Sequence, residues 1–219
     1  MLNMKSLNLL QRSKSMKSKS ESLYQNKFHK FGFSPKSLLW KTPGAAHQRF
    51  RQFWAEIDFT NKKVLDIGCG FGEFGKFILK RYKGVTYTGI DINSDFIETA
   101  KREVPDGKFI NADFLKEKVN GTYDIVIASG VLNSNMGSQN LTFRKKAIKK
   151  MFSLTKNILA FNMLGGHPTQ ISKKGSNVWY SDSLVILDFC MSLTRRVVLR
   201  TNYHPKDFTI IMYKVKSSG

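Results

Sequence analysis

The chain has 219 residues, enough for one self-supporting core, and sets 36 Lys plus Arg against 16 Asp plus Glu, a formal charge of +20. That balance excludes an acidic surface and admits a polyanion as partner, but 27 of the 36 cations are lysines scattered along the chain, the pattern of an ordinary solvated surface. The two cysteines, Cys69 and Cys190, exclude a disulfide framework and a metal cluster, which points to a reducing, cytoplasmic setting with no bound metal.

Residues 1–33 read as a basic, disordered N-terminal arm. Residues 1–22 are Ser, Lys, Met and Leu with Glu21 the single acid, too little apolar surface to offset chain entropy. Residues 34–219 form the folded domain. Nothing in residues 1–30 has the apolar run of a secretory signal, and the longest apolar stretch, residues 125–132, is too short to cross a bilayer. No membrane role is expected.

In residues 45–57 the spacing of Ala46, Phe50, Phe53, Trp54 and Ile57 predicts a helix with one apolar face, Arg49 lying off that face. The stretch KKVLDIGCGFGEFGKFILK (62–80) then organises the chain. It reads as a buried strand (Val64 to Ile67), a glycine loop (Gly68, Cys69, Gly70, Phe71, Gly72) and the opening of a helix. This is the unit with which doubly wound α/β folds bring bare backbone against a nucleotide. Its spacing is G-x-G-x-G, and Glu73 stands where a dinucleotide fingerprint has its third glycine. A carboxylate at a helix mouth repels pyrophosphate but suits a cationic ligand, so nicotinamide and flavin dinucleotides are disfavoured.

Residues 85–92 predict a second strand ending at Asp91 and Ile92, and Asp91 follows Asp66 by 25 residues. A carboxylate at that tip accepts hydrogen bonds from ribose hydroxyls. A helix over 94–103 and a third strand over 108–111 lead to Asp113 and Phe114. These two suit an adenine, the carboxylate accepting from its amino group and the ring packing on its face, although Asp113 also suits a helix cap. Residues 123–129 are a central strand opening into Ser129 and Gly130, small residues at a switch point.

Five cations (Arg144, Lys145, Lys146, Lys149, Lys150) fall on one predicted helix whose apolar stripe is Leu141, Ile148, Met151 and Phe152. Arg144 and Lys145 sit at the margins of that stripe. The basic face is either simply solvated or an anion-binding surface. A fifth strand (157–164), a polar loop, a helix (181–193) and two closing strands (196–200 and 208–214) complete the chain, the last pair forming a hairpin with one antiparallel strand.

These motifs, in this order, resemble the class I S-adenosylmethionine-dependent methyltransferases. The matching residues are VLDIGCGFG (64–72), TGIDI (88–92), NADF (111–114) and YDIV (123–126), and the resemblance spans roughly residues 34–215. Gln48-Arg49-Phe50 and the Tyr203 to Thr209 segment look like a group of small bacterial members.

The resemblance implies a Rossmann-like sheet of about seven strands with helices on both faces, and S-adenosylmethionine as cofactor. It implies that Asp66, Gly68, Gly70 and Gly72 hold the methionine moiety. Asp91 would serve the ribose, Asp113 and Phe114 the adenine, and Ser129 with Gly130 the sulfonium side, with Cys69 and Ile92 as further cofactor-binding positions. Arg49 could pair with the cofactor carboxylate. The expected acceptor is a small molecule, since no recognition domain is appended. A nucleic-acid acceptor is the alternative that the charge suggests, but the strand ending Ala128-Ser129-Gly130 lacks the Asn/Asp-Pro-Pro-aromatic signature of base amino methylation. His47, His167, Tyr180 and His204 have the chemistry of a general base, and none is assigned one.

Overall fold

The computed structural model describes residues 19–38, 43–170 and 175–215. The part of the arm expected at residues 1–18 lies outside the described residues.

Eight strands form the sheet: β1 (Lys63–Ile67), β2 (Thr86–Asp91), β3 (Lys108–Asn111), β4 (Tyr123–Ser129), β5 (Thr155–Gly166), β6 (Ser181–Asp182), β7 (Val197–Arg200) and β8 (Asp207–Tyr213). Their order is β3-β2-β1-β4-β5-β8-β7, with the short β6 added at the end of β5. The strands from β1 to β5 pair in parallel, and β8 runs antiparallel to both β5 and β7. The fold is therefore the expected doubly wound sheet closed by a C-terminal antiparallel pair, and β6 is the one strand the sequence pattern did not mark.

Alternation along the strands divides the core in two. Leu65, Ile67, Val126 and Ala128 face one cluster, while Val64, Ile125 and Ile127 face the other. Helices α2 (Pro43–Trp54), α3 (Glu73–Arg81) and α4 (Ser94–Glu103) pack on the second face. Helices α5 (Asn140–Leu154) and α6 (Ser183–Leu193) pack on the first. Helix α2 buries Ala46, Phe50 and Phe53, and just beyond its end Ile57 and Phe59 are buried too, while Trp54 stacks on Phe77 of α3 with ring centroids 4.3 Å apart. Each fully buried phenylalanine contributes about 1.5–3 kcal/mol, so this aromatic cluster is a principal anchor of the α2–α3 layer.

Two expectations are corrected. The arm read as disordered to residue 33 contains a helix, α1 (Lys19–Phe31). Tyr24 and Phe28 give it a ring face that meets Phe96 at 6.1 and 5.7 Å, and Phe28 also meets Phe71 at 5.9 Å. Burial against a partner surface supplies what its own composition lacks. Arg144, expected at a helix margin, is fully buried in α5. Its guanidinium donates to the carbonyls of Leu132, Ser134 and Asn140 and to the Asn140 side chain, and it lies over the Trp179 ring at 4.6 Å.

Candidate functional site

A cavity of about 810 Å³ opens at the carboxyl ends of the parallel strands, where α/β sheets hold their ligands. Of the eleven residues singled out for a cofactor, ten border it: Asp66, Gly68, Cys69, Gly70, Asp91, Ile92, Asp113, Phe114, Ser129 and Arg49. Gly72 does not. It is the left-handed residue (φ 77°) that starts α3, and a Cβ there would meet the rings and methyls of Phe109 and Val104 about 3 Å away.

The loop after β1 has its shape for local reasons. Gly68 has φ 68°, and a side chain on it would lie 2.1 Å from Val131. Gly70 has φ 55° and lies under Leu38. Only glycine satisfies both the left-handed backbone and that crowding. The Gly70 N–H donates to Asp91 Oδ2 at 3.0 Å, so the acid at the end of β2 props the loop it faces. Asp91 Oδ1 accepts from the Asn93 N–H at 2.9 Å, and Asn93, not Asp91, caps α4 through Oδ1.

Asp66 is buried, and Oδ2 accepts from the Tyr87 hydroxyl at 2.7 Å. Burial pushes its carboxyl up to about 7, against the lowering effect of the Tyr87 hydrogen bond. Burial likewise raises the carboxyl groups of Asp91 and of Glu73 at the mouth of α3. Neither Asp66 nor Asp91 has an ion pair among the described residues. Buried acids in one cavity, Asp66 and Asp91 without an ion pair among the described residues, are a donor set suited to a cationic ligand rich in hydroxyl and amino donors.

At the far side, Asp113 caps the turn that follows it, Oδ1 accepting from the N–H groups of Leu115 and Lys116, and it pairs with the Lys116 ammonium at 3.0 Å. The capping reading of this residue is thus present in the structure, and its side still borders the cavity. Phe114 is buried with the Lys150 ammonium 5.0 Å from its ring. Ser129 and Gly130 are held by the buried Asn162, whose Oδ1 accepts from the Gly130 N–H at 2.8 Å and whose Nδ2 donates to Ser129 Oγ at 3.1 Å.

Arg49 borders the cavity but is engaged by the protein. Its Nε and Nη2 donate to the two carboxylate oxygens of Asp207 at 3.0 and 2.8 Å, both side chains being nearly buried. Beside it the Gln48 amide donates to the Tyr203 carbonyl, and Tyr203 Oη lies 2.9 Å from Thr209 Oγ1. The two segments that stood far apart in the sequence are one cross-link between α2 and β8. None of His47, His167, Tyr180 and His204 borders the cavity; His167 is paired with Asp182 at 3.2 Å and His204 with Asp207 at 3.5 Å.

Leu23 and Tyr24 of α1, and Leu38 after it, also border the cavity and were missed. The signal was there: Tyr24, Phe28 and Phe31 recur at i, i+4 and i+7, one face of a helix.

Residues 65–156 match the family model described as a methyltransferase domain. Over 156 residues the chain is 25% identical to Rv1506c of Mycobacterium tuberculosis, whose own assignment as a methyltransferase is provisional, covering 69% of this chain and 92% of that protein. Over 115 residues it is 29% identical to a malonyl-[acyl-carrier protein] O-methyltransferase of Priestia megaterium, covering 51% of this chain and 39% of that enzyme. The fold is similar to that of magnesium protoporphyrin IX methyltransferase from Synechocystis PCC 6803 with bound S-adenosylhomocysteine, with a TM-score of 0.64 at 15% identity over 89% of this chain and 99% of that one. The motif series, the family model over residues 65–156 and the fold are all similar to those of S-adenosylmethionine-dependent methyltransferases of class I.

Proposed function

We propose that the chain transfers a methyl group to a small-molecule acceptor lying in the same cavity as its cofactor. The observation that carries this is the reach of the cavity: from Asp66 and Asp91 it continues past Ser129 and Gly130 into a space walled by Met136, Phe143 and Val178. Apolar walls with a few convergent polar groups are what a small ligand needs.

In this reading Asp66 and the carbonyls of the glycine loop receive the cofactor ammonium. Asp91 accepts from the ribose, and Asp113 with Phe114 holds the adenine. Arg49, fixed by Asp207, presents its positive charge toward the cofactor carboxylate. The bound cofactor supplies a methyl group on a sulfonium that leaves readily. The chain's own residues supply alignment and exclusion of water, the contributions an in-line displacement at carbon requires. None of His47, His167, Tyr180 and His204 borders the cavity, and the reading includes no general base.

A test uses radiolabelled S-adenosylmethionine with a small-metabolite extract and, separately, with bulk tRNA and duplex DNA. Label entering the small-molecule fraction, with no nucleic-acid shift at about 0.15 M salt, is the expected result; phosphate contacts would still register there. Label precipitating with tRNA would overturn the reading in favour of a nucleic-acid acceptor.

A further inference from the structure

We propose that Tyr24, on a helix outside every motif, is a cofactor-binding residue whose hydroxyl joins Asp91 at the ribose, with α1 as the roof of that half of the cavity. This rests on the cofactor placement proposed above.

Docking of α1 needs rings, not hydroxyls. Phe28 lies against both Phe71 and Phe96, and Phe33 meets Phe71 edge-on at 5.0 Å. Phe71 belongs to the glycine loop and Phe96 to the first turn of α4, so the helix is seated on the two elements that flank Asp91. The chain after α1 is drawn back over the loop: buried Ser37 donates from Oγ to the Gly32 carbonyl at 2.7 Å, and Leu38 covers Gly70. Tyr24 itself packs edge-on against Phe96, and together with Leu23 it borders the cavity.

The ring makes the contact with Phe96, and the hydroxyl adds nothing to that packing. Tyr24 is half-buried at the cavity wall, and its hydroxyl makes no hydrogen bond among the described residues, which leaves it available to a ligand lying there. Burial first, and the negative charge of Asp91 second, push the phenol up to about 12, while Arg49 opposes them. The group is thus a neutral donor at every physiological pH, held within the fields of an acid expected at the ribose and an arginine expected at the carboxylate. A hydroxyl bordering the same cavity as Asp91, and within reach of its charge, can share the ribose diol with it, one group accepting and the other donating.

The experiment measures binding of S-adenosylhomocysteine and of 5′-methylthioadenosine, which lacks the amino-acid carboxylate, to the full chain and to Tyr24→Phe. The phenylalanine keeps the ring contact with Phe96 and removes only the hydroxyl. Tyr24→Phe should weaken both ligands by a similar factor, roughly three- to tenfold. Hydrogen exchange in residues 19–31 should slow when S-adenosylhomocysteine binds to the wild type.

Unchanged affinity in the variant, with the wild type binding normally, overturns the role of Tyr24 and leaves the cofactor placement intact. A loss confined to S-adenosylhomocysteine overturns the ribose assignment. Absence of protection in residues 19–31 overturns the roof. A wild type that binds neither ligand removes the placement itself, and this inference with it.

Discussion

Asp66 holds its proton up to about pH 7 in the cofactor-free protein because burial outweighs the Tyr87 hydrogen bond. In the unfolded chain the same carboxyl ionises near 3.8. The folded state therefore binds the extra proton, and its contribution is full below about pH 4 and lost as pH rises through 7. Stability of the cofactor-free protein should fall across that window, and Asp66→Asn should flatten the fall in denaturant titrations at a series of pH values. A cationic cofactor reverses the preference and favours the carboxylate, so its binding below pH 7 should release a proton. Calorimetry in buffers of different ionisation heat reads that release directly. Asp91 acts differently, since its two oxygens already accept from the Gly70 and Asn93 N–H groups. Asp91→Ala should weaken S-adenosylhomocysteine binding roughly tenfold or more, because hydrogen bonds to a charged group contribute about 1.5–3 kcal/mol each. Unchanged affinity would remove Asp91 from the site.

At the scale of elements, Arg144 is the brace of the segment between β4 and α5. Its donors reach Leu132, Ser134 and Asn140, and Ser134 in turn bridges to Val178, so one guanidinium fixes both sides of the apolar half of the cavity. Burial brings the group down to about 10, still protonated at neutral pH. Arg144→Ala strands several buried carbonyls and should cost about 3 kcal/mol in urea denaturation. Little of this was legible in advance. Helical spacing put Arg144 at a margin, and its carbonyl partners come from an irregular stretch with no period to read. Helix α1 escaped for a related reason: its stability comes from Phe71 and Phe96, contacts remote in sequence, while its own composition is that of a solvated tail. The β1–loop–α3 unit and the acids at the tips of β1 and β2 were legible because strand period, glycine spacing and chain distance fix them locally. That Arg49 meets Asp207 was not, although both segments had been noticed, because pairing between residues 158 apart leaves no local trace.

For the whole molecule, a formal charge of +20 means self-repulsion in the folded state. Salt should relieve it, so the thermal midpoint should rise between about 0.02 and 0.2 M sodium chloride, over which screening shortens to about 10 Å or less. A falling midpoint would show that specific ion pairs such as Arg200–Glu56 outweigh the general repulsion. No described helix is long and apolar enough to cross a membrane. The bidentate lock between Arg49 and Asp207 has a consequence for how the protein is born. An arginine made early must wait for an aspartate that leaves the ribosome more than 150 residues later. Until then the nascent polypeptide holds an unneutralised guanidinium beside a half-built chamber, so this wall of the cavity is completed only once residue 207 has emerged.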